Sequence, residues 1–177
     1  MSEDKNNFIN EAGKNGLILA AVAIIYFLAS AFLGKGDNGG FLKGLLGFVL
    51  WGAKFALCIW LMVRFLRNFA AENDKDRSKT FRFGTAVALC SSIVYAGFYL
   101  LYVTVIDPGF FKETFDSIAG LYSSMLTSEE MDKLMNMESS MPTASFFVNL
   151  IWCWLIGTVI SAISSNRICG PDNPFEE

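Results

Sequence analysis

Apolar residues gather into four long runs, with polar stretches between them. The first is Leu17–Leu33 (LILAAVAIIYFLASAFL), flanked by Gly16 and Gly34. The second runs from Phe41 to Leu66 and is interrupted by Lys43, Lys54 and Arg64. The third is Phe83–Ile106 and the fourth Ala144–Ile163. A helix packed on a soluble core keeps a polar stripe at a period of 3.6, whereas these runs are apolar all round. A spanning helix needs about 20 mostly apolar residues, and each run comes close to or exceeds that. In lipid a helix satisfies its own backbone N–H and C=O groups. The pattern predicts an all-α membrane protein, one domain over residues 1–177, with spans at about 16–34, 42–66, 82–106 and 144–164.

The polar stretches set the expected topology. Ala29-Ser30-Ala31 resembles a signal-cleavage triplet, but the preceding segment is long and acidic rather than short and basic, so a retained span is expected. The N-terminal tail, the stretch from Arg64 to Arg82 and the C-terminal tail hold nine Lys and Arg; the other two connections hold four. The side with nine is expected in the cytoplasm. That places both termini there, with the segment 107–143 outside the cytoplasm.

That outer segment has seven acids against two lysines. Its polar and apolar order still reads as helical. Asp107-Pro108 is an N-cap followed by proline at the first helical position. Phe110, Phe111, Phe115, Ile118, Leu121 and Tyr122 then recur at steps of three to four. Thr127-Ser128-Glu129-Glu130 is a capping box for a second short helix with Met131, Leu134 and Met135 on its apolar face. One or two amphipathic helices are expected between spans three and four. They cover the bundle, or offer Phe110, Phe111, Phe115, Met131 and Met135 to a partner.

Composition narrows the chemistry. The chain is 53% apolar and 18% charged, more apolar and less charged than a soluble domain. A net charge of -3 leaves no nucleic-acid footprint. There is no histidine, which removes the commonest general base and metal ligand. Cys58, Cys90, Cys153 and Cys169 form no CxxC pair and read as free small hydrophobes. The methionines of the outer segment read as adaptable packing rather than a soft-metal site. No nucleophile, phosphate or dinucleotide motif occurs, so no enzyme, cofactor or metal is expected.

The order of features resembles the domain-of-unknown-function 4199 family of small bacterial inner-membrane proteins. The matching residues are Arg64-Phe65-Leu66-Arg67, Thr80-Phe81-Arg82-Phe83-Gly84, Ile106-Asp107-Pro108-Gly109-Phe110 and Thr127-Ser128-Glu129-Glu130-Met131. The resemblance implies topology and compartment. It implies no activity, cofactor or catalytic residue.

Lys54 is the candidate functional residue. It sits near the centre of span two, where an ionisable group costs roughly 2.5–3.5 kcal/mol on insertion scales. No Asp or Glu lies within the four spans. Three readings compete: a snorkelling side chain, a contact with a partner's acid or a lipid phosphate, and a substrate or proton path. Within the chain, Ser91, Ser92, Tyr95, Asn149 and Thr158 are the uncharged candidates to meet it. Gly44, Gly47, Gly157 and Ser161 are candidates for close helix packing, within the chain or in a homo-oligomer. The reading favours a non-enzymatic accessory or scaffolding subunit contacting another membrane protein. The alternative is a small oligomeric transporter or channel.

Overall fold

Each apolar run lies within a longer helical stretch. The computed structural model describes residues 2–34, 40–112, 115–116, 120, 127, 129, 133, 137 and 140–170. Four helices dominate it: α1 (Ser2–Gly34), α2 (Gly40–Glu72), α3 (Arg77–Leu101) and α4 (Met141–Cys169). All four are long and apolar enough to cross a membrane, and no strand occurs among the described residues. At 1.5 Å per residue α1 and α2 are each about 50 Å long, well beyond a hydrocarbon core of about 30 Å. Their polar ends therefore project past it.

The stretch from Arg64 to Arg82 is largely helical rather than a loop. The connection proper is the turn 73–76, and the basic residues ride on the ends of α2 and α3. Asn73 and Lys75 both donate backbone N–H bonds to the Ala70 carbonyl, at 3.3 and 3.0 Å. Asp76 caps α3: its Oδ1 accepts from the Lys79 N–H at 3.0 Å. That backbone bond, with the nearby Lys79 ammonium, holds the Asp76 carboxyl below the usual carboxylate range. At the other terminus of the bundle's basic end, α4 stops at Gly170, whose φ of 74° suits a residue without Cβ.

The core follows from two seams of small residues. On α3, Thr80, Gly84, Ala88, Ser92 and Ala96 recur every four positions and are all buried. They give α4 a shallow surface, and α3 and α4 make the most extensive helix contact. On α1, Ala12, Gly16 and Ala20 form a similar buried line, with Gly16 against Cys90 of α3. Lipid tails are as apolar as leucine, so close van der Waals approach of this kind is what holds membrane helices together. Helix α2 touches its neighbours less. It is fastened chiefly at the basic end, where Phe69 stacks on Phe83 at 4.0 Å and Phe8 meets both rings edge-on.

At the opposite end α3 continues into a π-helical turn, Tyr102–Ile106, closed by the Asp107 N–H on the Tyr102 carbonyl at 2.8 Å. Asp107 closes that turn, and Pro108 and Gly109 form a further turn rather than the first helical residues expected after an Asp107 cap. The Asp107 carbonyl accepts from the Phe110 N–H at 3.1 Å, and helix resumes at Phe110. Phe110 turns its ring edge to Tyr102, Phe111 is half-buried, and Phe115 is buried. The expectation that Phe115 is offered to a partner is therefore corrected: its side chain is buried. Glu129 and Lys133 are helical and bridge at 2.7 Å, one turn apart. Met131 and Met135 lie outside the described residues.

Candidate functional site

Lys54 stands where all four helices are at mid-span. Tyr26 of α1, Tyr95 of α3 and Cys153 of α4 occupy the corresponding middles of the other apolar runs. The Lys54 ammonium lies 4.9 Å from the centroid of the Tyr26 ring and 5.7 Å from that of Tyr95. Both are cation–π distances, worth roughly 0.5–2 kcal/mol each in a dry setting. Two rings therefore offset much of the insertion cost of about 3 kcal/mol without supplying a counter-charge. Among the described residues Lys54 makes no ion pair.

The lysine borders a hollow of about 390 Å³, lined mainly by apolar groups. Trp51 and Phe55 of α2 and Trp152 and Ile156 of α4 form its two walls, and Tyr95 and Ser91 of α3 lie between them. Trp51, Phe55 and Trp152 are exposed on the outer surface of the bundle. The hollow thus lies between α2 and α4, with Leu19 and Ala23 of α1 also lining it. It offers one cation in apolar walls. Such a setting suits a single buried carboxylate or phosphate far better than a hydrated ion.

The other polar candidates are occupied elsewhere. Asn149 donates to the Ser145 carbonyl of its own helix at 2.8 Å, and Ser92 donates to the Leu89 carbonyl at 2.8 Å. They contribute to their own helices, as serines and asparagines in spans commonly do. Thr158 of α4 is half-buried, and its buried hydroxyl oxygen has no hydrogen-bond partner among the described residues, as is true of the Trp154 indole N–H one turn away. Of the expected neighbours, Tyr95 meets Lys54 and Ser91 lines the cleft. Tyr26 was not foreseen. Its signal was its place near the centre of the first apolar run, level with Lys54.

The glycine expectations divide. A Cβ at Gly157 would sit 2.5 Å from that of Ala88, and one at Gly84 would collide with Ser161. The Ser161 hydroxyl, fully buried, also donates to the Phe81 carbonyl at 3.1 Å. Gly157 and Ser161 of α4 therefore lie in close contact with α3. A Cβ at Gly47 would meet nothing within 4 Å, so Gly47 is not a packing position within the chain. The packing environment of Gly44 lies outside the described residues.

A bundle of four apolar helices with a cationic cleft at mid-span defines a multi-pass α-helical membrane protein. The chain belongs to the DUF4199 family, described as proteins of unknown function, which matches residues 14–167. No curated protein and no solved structure matches the chain.

Proposed function

We propose that the protein is a non-catalytic accessory subunit of a bacterial inner-membrane assembly. Its α2–α4 cleft receives an apolar helix of a partner membrane protein, and a carboxylate on that helix pairs with Lys54. The observation that carries this reading is a mid-span lysine with aromatic neighbours but no acid in any span. A paired acid would complete a charge already brought to the cleft, and a truncated pair at that depth is costly. The exposed Trp51, Phe55 and Trp152 around the opening supply the apolar contact area. The distribution of Lys and Arg supports a cytoplasmic position for both termini.

The mid-span hollow favours a second reading, a small oligomeric carrier for an acidic amphiphile that would lodge against Lys54. Affinity purification in mild detergent separates the two. A stoichiometric membrane partner is the result the subunit reading requires. Flux of an acidic solute through liposomes holding this chain alone would overturn it in favour of the carrier.

A further inference from the structure

The α2–α4 cleft continues past Lys54 toward the basic end. There the same two helices border a second hollow of about 670 Å³, and the two hollows meet at Ile59 and Ile160. Its walls are Val63 and Ala70 of α2 and Ile163 and Ile168 of α4. Its mouth carries Arg67, Lys75 and Arg167, one each from α2, the turn 73–76 and α4. All three are exposed, and among the described residues none forms an ion pair. No acidic side chain lines this hollow. The groove between α1 and α2 at the same end is different: Glu11 and Glu72 line it together with Lys14 and Arg64, so its charges balance.

The placement follows from helical spacing. Arg67 stands one turn from Val63, and Arg167 one turn from Ile163, so each cation crowns an apolar strip on its own helix. The alanines at 70 and 71 leave room between the crowns. From Arg67 to Ile59 the strip runs about 12 Å along α2, close to the depth of one leaflet's hydrocarbon, about 15 Å.

We infer that this groove is a binding site for an anionic glycerophospholipid. The phosphate sits among Arg67, Lys75 and Arg167, and one acyl chain lies between Val63 and Ile163 and ends near Ile59 and Ile160. Three uncompensated cations at the level of the headgroups select negative charge. The apolar strip below them selects a chain over a free phosphate. The site is separate from the Lys54 contact and does not rest on it.

Native mass spectrometry of the full chain in detergent tests this, with phosphatidylglycerol and phosphatidylcholine of the same chain length as probes. A basic residue at an anionic surface strengthens binding about fivefold, so three together give a preference for phosphatidylglycerol of about a hundredfold. The triple variant R67Q/K75Q/R167Q loses that preference. The variant R64Q/R77Q/R82Q, which removes equal charge at the same end but outside this groove, keeps it. Glycerol phosphate at millimolar concentration does not displace the lipid. The site is refuted if wild type binds both lipids equally, or if the two triple variants lose the preference alike. Displacement by glycerol phosphate would make it a plain phosphate site and equally refute the lipid. Circular dichroism on both variants excludes unfolding as the cause of a loss.

Discussion

At the scale of residues, close packing turns on atoms that are missing. Gly157 faces Ala88 where a further Cβ would stand 2.5 Å away, whereas Gly47 faces open space. We expect Gly157→Ala to destabilise the bundle by about 1–3 kcal/mol through overpacking. Gly47→Ala should be neutral or stabilise by up to about 1 kcal/mol through helix propensity. Thermal unfolding of the two variants in one detergent gives the comparison, and equal effects would disprove the seam. Thr158 makes the opposite case. Its buried hydroxyl has no partner among the described residues, and an unsatisfied group of that kind costs about 1–3 kcal/mol. Thr158→Val, nearly the same shape, should leave the midpoint unchanged or raise it. A clear fall would mean that the hydroxyl has a partner in the working protein. Lys54 combines both lessons, since its cost is met by rings and not by an acid.

Among the elements, α3 is the centre and α2 the outlier. Two faces of α3 serve two neighbours: the line from Thr80 to Ala96 receives α4, and Val87 and Cys90 lie under α1. Helix α2 depends on the aromatic contact at the basic end. Phe83→Ala, removing a ring that is 1% exposed between Phe8 and Phe69, should cost about 3–5 kcal/mol and free α2 before the other helices. Cysteine crosslinking between α2 and α3, followed during denaturation, would show whether α2 leaves first. The start of α3 rests on Asp76. Its carboxyl is held below the usual range by the Lys79 N–H, so its contribution is complete above the ordinary carboxylate value. That contribution disappears as pH falls through the lowered one. Wild type should therefore lose stability relative to Asp76→Ala only in acid, and a difference that vanished between pH 7 and 6 would contradict the cap. The elements themselves were legible as runs of hydropathy. The extensions were not, because residues 2–14 and 67–72 are too polar to read as spans and are carried into helix by continuity with them. The seam on α3 was legible in principle as a period of four in small residues, but sequence alone does not say which face meets which helix.

For the whole molecule, four apolar helices, their order and a junction at Asp107-Pro108 could all be read from the sequence, since lipid leaves helices few alternatives. The candidate site was readable only in part. Lys54 was evident as a charge in an apolar run, but its surroundings depend on which faces of α1, α3 and α4 turn inward. Tyr26 and the α2–α4 cleft emerge only from that packing. Phe115 of the outer segment is buried, and the proposed partner contact rests on the cleft. The account therefore predicts that the positive charge of residue 54 holds a partner. The decisive measurement is the amount of co-purified membrane partner per chain for wild type, Lys54→Arg and Lys54→Leu, extracted in the same mild detergent. Wild type and Lys54→Arg should retain it, and Lys54→Leu should lose it at least tenfold while remaining folded. Equal retention by Lys54→Leu would contradict the account.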